Sequence, residues 1–312
     1  MNTPPRLTRR AALGATAALP LTAALGGTAL AAGNSEDGGL GFAPYRSFDL
    51  GDMQVTTLLA GTSPVPDPQT IFGMNVSEEE FADASRAAFI PTDVAQFFFT
   101  PTLVKTGDDI ILFDTGTDPA GLKAALSAAG HTPADITKVV LTHMHGDHIG
   151  GLMDGTSETF EGASYYTGAT EFDAWASTGN EAFEAKVRPL ADAGKIEMID
   201  DGASVTSGVT AMMAPGHTPG HMAYMLESGG KQLVLIADVA NHYVWSLAYP
   251  DWEVRFDQNK EQAAETRRKM LGMIAAERIP MIGYHMPFPA LGYVDTRGDG
   301  FHYVPATYQQ ML

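Results

Sequence analysis

The sequence contains no cysteine. This absence excludes disulfide bonds, thiolate metal ligands and cysteine nucleophiles, so any bound metal must be held by nitrogen and oxygen atoms. Positive charge is also scarce, because 19 Lys and Arg stand against 37 Asp and Glu, a formal net charge of -18. An acidic surface repels polyanions, and we therefore expect no nucleic acid among the partners of this protein.

Long apolar runs are missing after residue 32. Before it, Arg6, Arg9 and Arg10 precede a stretch rich in Ala, Leu, Gly and Thr from Ala11 to Ala32, which contains the small-residue pattern Ala29-Leu30-Ala31. This organisation, with its adjacent arginines, predicts a secretory signal of the twin-arginine type over residues 1–32. We expect a periplasmic or secreted protein without stable membrane insertion after cleavage, and a single domain over residues 33–312.

The rest of the chain alternates strand-like and helix-like segments. The patterns predict a helix over residues 77–88, with Ser77 as its cap, and one strand over residues 97–105. Residues 119–129 are helical and precede an apolar strand, 138–141, which is a βαβ rhythm, and a further helical stretch covers residues 180–193. We find no internal repeat and no linker, so the sequence predicts one α/β domain.

Four ligand-type side chains follow the apolar strand within six positions: His143, His145, Asp147 and His148. Such a cluster at the end of a buried strand is costly to desolvate unless its members share a cation. Alternation along an extended backbone lets His143 and His145 reach one ion, whereas Asp147 and His148 diverge toward a second position. A solvated histidine-rich loop is the alternative interpretation.

Three further residues favour the metal interpretation, because each stands where a strand ends. His217 lies in the tight turn Pro215-Gly216-His217-Thr218-Pro219-Gly220-His221, and we predict that it is the third ligand of the first ion. Asp238 closes a buried apolar run and would bridge two cations. His285 ends another apolar run and would bind the second ion. Ligands that emerge from several strand ends are typical of sites in α/β sheets.

In this order, the seven residues resemble the metallo-β-lactamase superfamily. The resemblance implies a four-layer αββα sandwich and two divalent metal ions, with zinc as the expected metal. It assigns one ion to His143, His145 and His217, the other to Asp147, His148 and His285, and makes Asp238 the bridge. Asp114, in Asp114-Thr115-Gly116, matches the family's aspartate that orients a ligand histidine.

Within that superfamily, the chain from Phe98 onward resembles the methyl parathion hydrolase group, which includes exported lactone and aryl-ester hydrolases. The similarity rests on His217–His221, Arg267–Lys269, His285–Pro289 and Gly300–Pro305. It implies that a hydroxide between the two ions attacks a lactone, an aryl ester or an organophosphate triester, with Asp147 and Asp238 as the catalytic carboxylates.

Other activities remain open at this point. The same fold supports β-lactamases and thioester hydrolases, and a metal-binding protein without catalysis is an alternative of another class. Asn241 stands where acyl-homoserine lactonases of another branch carry a catalytic tyrosine, which weakens the prediction of that particular activity.

We expect the substrate to be small, neutral and hydrophobic, because aromatic residues are plentiful in the segments that would cover the site. Core packing is the alternative role for each of these rings. A homodimer is an open possibility for the assembly. The candidate residues of the substrate pocket are Phe72, Trp175, Phe183, Asn241, His242 and His302.

Overall fold

The structure is a computed structural model that describes residues 42–307. The predicted signal segment, residues 1–32, lies outside the described residues. Among the helices of residues 42–307, none combines the length and the apolar character that a membrane crossing requires.

Strands and short helices alternate along the described residues. The strands are β1 (Tyr45–Leu50), β2 (Met53–Leu58), β3 (Gly61–Pro66), β4 (Val94–Phe99), β5 (Thr102–Thr106), β6 (Asp109–Phe113), β7 (Lys138–Leu141), β8 (Met153–Asp154), β9 (Ser157–Glu158), β10 (Ser164–Gly168), β11 (Ile196–Ile199), β12 (Ser204–Thr206), β13 (Val209–Met213), β14 (Met222–Ser228), β15 (Lys231–Ala237), β16 (Met281–Gly283), β17 (Leu291–Arg297) and β18 (Gly300–Pro305). The helices are α1 (Glu78–Ala87), α2 (Pro119–Ala128), α3 (Gly146–Ile149), α4 (Ala169–Ala176), α5 (Glu181–Lys186), α6 (Arg188–Asp192) and α7 (Lys260–Glu277).

Two seven-stranded sheets form the centre of the fold. The first has the order β1-β2-β5-β6-β7-β10-β11, and the second runs from β12 to β18 in chain order. The inner faces of the sheets pack together, and the rings of Phe113 and Tyr224 meet there at 5.1 Å. Alternation along β7 sends Val140 into this core and Val139 to the opposite face of the sheet.

Helices cover the two outer faces. α2, α4, α5 and α6 place buried side chains against the first sheet, and Leu271 and Ile274 of α7 pack into the core on the side of the second sheet. The arrangement is therefore helix, sheet, sheet, helix, and the prediction of a four-layer αββα sandwich is confirmed.

Residues 61–99 form an excursion in which α1 and the antiparallel pair of β3 and β4 pack around aromatic rings, and Trp245 and Trp252 complete this small core. The predicted cap is present, because the Ser77 side chain accepts a hydrogen bond from the backbone N–H of Glu80. The prediction of one strand over 97–105 is wrong. Pro101 offers no N–H for a ladder and separates β4 from β5, which pair in different sheets.

The predicted helical stretch over residues 180–193 consists of two short helices. α5 ends at Lys186, and α6 begins at Arg188 with Pro189 in its first turn. A proline has no N–H for the helical hydrogen bond and its ring clashes with the preceding turn, so the chain starts a new helix here.

Strand ends bring the ligand-type residues together. Asp114 follows β6, His143 comes two residues after β7, Asp238 follows β15 and His285 comes two residues after β16. β6 is parallel to β7 and β15 is parallel to β16. Because the carboxyl ends of parallel strands meet at one edge of a sheet, both sheets deliver these side chains to a common edge of the sandwich.

Candidate metal centre

Three imidazoles form the first group of the centre. His143 Nε2 lies 3.1 Å from His145 Nδ1, which in turn lies 3.0 Å from His217 Nε2. Ligand nitrogens about 2.0–2.1 Å from a tetrahedral zinc ion lie roughly 3.3 Å from one another. The three nitrogens therefore have close to the spacing that one such ion requires, as the sequence predicted for these residues.

Asp147, His148 and His285 form the second group. Asp147 Oδ2 lies 3.4 Å from His285 Nε2 and 3.7 Å from His148 Nε2. Both histidines are buried, whereas the Asp147 side chain is 27% exposed. The second group is thus a mixed nitrogen and oxygen set that opens to solvent on the side of Asp147.

Asp238 lies between the two groups. Its Oδ2 is 3.3 Å from His217 Nε2 and 3.2 Å from His285 Nε2, and its Oδ1 is 3.3 Å from His148 Nε2. Asn241 Nδ2 donates a hydrogen bond of 2.7 Å to the same Oδ2. One carboxylate therefore contacts histidines of both groups.

Two atoms at this position test whether the residues fit a cation. His148 Nε2 and Asp238 Oδ1 are buried and have no hydrogen-bond partner among the described residues. Leaving a buried polar atom unpaired costs about 1–3 kcal/mol, and more for a charged group. Both atoms are of the kinds that zinc prefers, so the donor set fits divalent metal ions.

Asp114 orients ligands of both groups. Its Oδ2 accepts hydrogen bonds of 2.8 Å from His148 Nδ1 and from the Thr142 hydroxyl. The Thr142 oxygen lies 3.1 Å from His143 Nδ1. These contacts place the hydrogen of each imidazole on Nδ1, which leaves Nε2 free to face the centre.

Asp257 does the same for His217, and the sequence did not point to it. Its Oδ1 lies 2.8 Å from His217 Nδ1, and its Oδ2 accepts from the buried guanidinium of Arg267 at 2.8 Å. In the sequence Asp257 stands among polar residues just before the helix cap Asn259, where an aspartate is unremarkable. No local signal could have marked it as an orienting group.

The two groups differ in their affinity for protons. Burial, followed by the neighbouring histidines, holds the pKa of His143 well below its usual value and lowers the pKa of His145 to about 3. Burial also lowers the pKa of His148, but the charges of Asp238, Asp114 and Asp147 outweigh it, so this pKa is raised well above the usual value.

The pKa of Asp238 is shifted in the opposite direction to that of His148. Burial raises its pKa, but the nearby His285 and His148 together lower it well below the usual value, so the carboxylate stays ionised. The pKa of His285 is raised, because Asp238 and Asp147 outweigh its burial.

Comparison with known proteins decides the family. A family profile described as "Metallo-beta-lactamase superfamily" matches residues 100–280, more than half of the chain. The chain belongs to this superfamily. It therefore has the metallo-beta-lactamase fold, and this superfamily depends on metal ions, usually zinc.

Solved structures and curated relatives agree with this assignment. AidC, described as a dizinc quorum-quenching lactonase, is 26% identical, with a TM-score of 0.76 over 85% of this chain and 98% of its own. Hydrolase AbOPH is 23% identical, with a TM-score of 0.79 over 86% of this chain and 99% of its own, a likeness of fold. An N-acyl homoserine lactonase of Bacillus cereus is 25% identical over 40% of this chain and 47% of its own.

The match to the curated relatives is partial. The chain spans 35% of the length of the lactamase-like protein aptB of Emericella nidulans and 47% of the length of the Bacillus cereus lactonase. The comparisons therefore establish the superfamily and a set of lactonase neighbours.

The sequence predicted Trp175 as a wall of the substrate pocket. It is 8% exposed, and its ring meets the ring of His145 edge-on at 5.5 Å. A cavity of about 160 Å³ lies beside it and is lined by Ala174, Trp175, Thr178, Asn180 and Gln258. On the other side of the centre, the half-buried Phe99 meets His285 edge-on at 5.8 Å. Sequence reasoning did not select Phe99.

Two predicted pocket residues are core residues instead. Phe72 is fully buried in the excursion and stacks on Phe97, which separates it from His285. Phe183 is fully buried between α4 and the guanidinium of Arg188. Both rings therefore have the packing role, because burying a large ring away from water is more favourable than leaving it in an open pocket.

The prediction for His302 is also wrong. It is exposed on β18, the outer strand of the second sheet, where it pairs with Asp295. Asp295 lies beyond the start of β16, because Gly292 already pairs with Met281, the first residue of that strand. His302 is therefore at the end of the sheet opposite to His285.

Asn241 and His242 lie next to the centre in different roles. Asn241 contacts Asp238 directly, as described above. His242 is buried and stacks on Trp245 at 4.1 Å, and its Nδ1 accepts from the backbone N–H groups of Val244 and Trp245. Burial lowers the pKa of His242 to about 3, so it is a neutral residue that holds this turn.

Proposed function

We propose that this hydrolase binds two divalent metal ions and cleaves lactones or aryl esters, with organophosphate triesters as related substrates. The observation that carries the proposal is the position of Asp238. It contacts His217 of one ligand group and both His148 and His285 of the other, and within residues 42–307 its Oδ1 has no other partner. A carboxylate placed between two ligand groups can bridge two metal ions, which a dinuclear site can use.

The residues of the chain would share the work as follows. His143, His145 and His217 would hold one ion, and Asp147, His148 and His285 the other. Bound cations would lower the pKa of a shared water toward roughly 7 and polarise the carbonyl or phosphoryl group of the substrate.

Asp114 and Asp257 keep the hydrogens of their histidines on Nδ1, away from the centre. Asp147 is the carboxylate of the two groups that solvent reaches, and it would accept a hydrogen bond from the attacking water. Asn241 holds Asp238 by an N–H donor, and the tyrosine of some lactonases has no counterpart at this position. Residue 241 therefore supplies no tyrosine hydroxyl that could donate a proton to the leaving group.

Support for the substrate class comes from two directions. AidC and the Bacillus cereus relative are lactonases, although each is identical to this chain at only about a quarter of the aligned positions. The walls nearest the two ligand groups are aromatic, Trp175 beside His145 and Phe99 beside His285. Aromatic walls around a few polar groups favour a small, neutral, hydrophobic substrate.

The test combines metal analysis with a substrate panel. Purified protein is assayed for metal content and for kcat/KM on a lactone series, nitrophenyl esters, a phosphotriester, a β-lactam and a thioester. About two ions per chain, with the highest kcat/KM on lactones or aryl esters, supports the proposal. A preference for the β-lactam or the thioester would reassign the substrate class, and bound metal without any turnover would mean a protein that binds metal without catalysis.

A further inference from the structure

Glu171, in the first turn of α4, is a buried carboxylate with no cationic partner among the described residues. Its Oε1 accepts hydrogen bonds from the backbone N–H of Met144 at 3.1 Å and from the indole N–H of Trp175 at 2.6 Å. Its Oε2 accepts from the Thr218 hydroxyl at 2.7 Å and from the backbone N–H of Gly220 at 2.9 Å. Four donors therefore converge on one side chain.

These donors belong to three separate parts of the site. Met144 lies between the ligands His143 and His145, and Thr218 follows the ligand His217. The third part is Trp175, whose ring touches His145. One carboxylate thus connects two ligand loops that are far apart in the sequence with a wall of the pocket.

The His217 loop has little freedom to choose another position. A Cβ on Gly220 would lie 2.1 Å from the backbone nitrogen of Glu171, and a Cβ on Gly216 would lie 2.3 Å from the backbone nitrogen of Ala263 in α7. Gly216 also has φ +123°, which side chains rarely tolerate. The loop is therefore fitted between α4 and α7, and Glu171 determines its contact with α4.

Only a group with two acceptor oxygens satisfies all four donors. A glutamine offers one oxygen and one NH₂ group. In one orientation the NH₂ would face the N–H groups of Met144 and Trp175, and in the other it would face the N–H of Gly220 beside the Thr218 hydroxyl, so at least one N–H donor always loses its acceptor. An alanine would leave four donors without a partner. The local demand is thus specific for a carboxylate.

We propose that Glu171 is a positioning residue, which sets the spacing of the His143, His145 and His217 nitrogens and the orientation of Trp175 toward the centre. This inference rests on the metal-binding part of the proposed function and not on its substrate class. A packing role alone would require only the volume of the side chain, whereas positioning requires both oxygens.

The experiment measures metal affinity and kinetics on Glu171→Gln, with Glu184→Gln as the matched control, because Glu184 is an exposed carboxylate of α5 paired with Arg188. Co²⁺ serves as the probe, with affinity measured by competition with a chelator and the site geometry followed by its visible spectrum. Urea unfolding of the metal-free proteins reports stability separately. We expect Glu171→Gln to lose about 10–100-fold in Co²⁺ affinity and to change the spectrum, as orienting groups of metal sites commonly do.

Kinetics divide the two halves of the role. We expect Glu171→Gln to lower kcat and to raise KM. Trp175→Phe, which keeps a ring but removes the indole donor, should raise KM with Co²⁺ affinity within about twofold of wild type, because the donor that it removes lies outside both ligand loops. If Glu171→Gln does not fold, Thr218→Val removes a single donor and should weaken Co²⁺ binding in the same direction by a smaller factor.

Two results would overturn the inference. The first is a folded Glu171→Gln variant with wild-type Co²⁺ affinity, wild-type spectrum and wild-type kcat. This result would overturn the inference about Glu171 but not the proposed function, even if stability falls. The same holds for Thr218→Val if Glu171→Gln does not fold. A wild-type protein that binds no metal overturns the proposed function and this inference with it.

Discussion

The two ligand groups of the centre contain the same residue type in opposite electrostatic environments. His145, in the first group, has its pKa lowered to about 3 by burial and by neighbouring imidazoles. His148, in the second group, has a raised pKa because Asp238, Asp114 and Asp147 outweigh its burial. His143 and His145 of the first group are therefore neutral imidazoles, whereas the histidines of the second group lie among negative charges.

The difference shows that the carboxylates, more than the histidines, distinguish the two groups. Asp238 is shared, Asp147 belongs to the second group alone, and each group has an orienting aspartate behind it. Removing these carboxylates one at a time should therefore damage the groups unequally, and the inequality can be measured as metal content and turnover.

The largest effect is expected for Asp238→Asn, because it removes the one charge that contacts both groups. We expect kcat/KM on the best lactone or aryl ester to fall by about 100-fold or more, and metal content to fall below that of wild type. Metal analysis and steady-state kinetics check this outcome. Asp154→Asn, an exposed carboxylate paired with Lys123, is the control; near-normal turnover of Asp238→Asn would refute the bridging role.

Asp114→Asn should have the next largest effect. Asp114 touches His148 directly and His143 through Thr142, so its loss should disturb both groups. We expect activity to fall by about 10–100-fold, the range typical of residues that orient metal ligands. Chelator competition on the variant should show weaker binding of metal at every occupied position. A loss confined to a single ion would show that the contact through Thr142 has no influence.

Asp257→Asn should affect activity less, because Asp257 orients only His217. We expect about a tenfold loss of kcat/KM. Stability should fall more, because the variant leaves the buried Arg267 without its charged partner, and breaking a buried ion pair costs about 3–5 kcal/mol. Urea unfolding of metal-free protein measures that cost. A variant that keeps full stability but loses most of its activity would contradict this expectation. It would mean that the ion pair with Arg267 contributes little stability and that the orientation of His217 matters more for activity.

The sequence could predict the seven ligand-type residues because each follows a buried strand, where an unpaired polar side chain is costly. It could not predict Asp257, Glu171 or Phe99, since each becomes important only when distant segments pack together. The same limit explains Phe183, whose helical pattern is equally compatible with core and pocket. The error over residues 97–105 has a local cause that was visible, Pro101, but only the pairing of β4 with β3 gave it meaning.

The smallest effects are expected from substitutions of the aromatic walls, and they test whether the two ligand groups face different parts of the substrate. Trp175 borders His145 of the first group and Phe99 borders His285 of the second. We expect Trp175→Ala and Phe99→Ala each to raise KM by about tenfold for some substrates while metal content stays unchanged, the scale of a lost apolar contact in a pocket. Because the two rings flank different ligand groups, the variants should penalise different parts of a substrate, which a series varied separately in the acyl chain and the leaving group can resolve. If both variants penalise the same substrates by the same factor, the two groups do not face separate parts of the substrate, and their electrostatic difference serves metal binding alone.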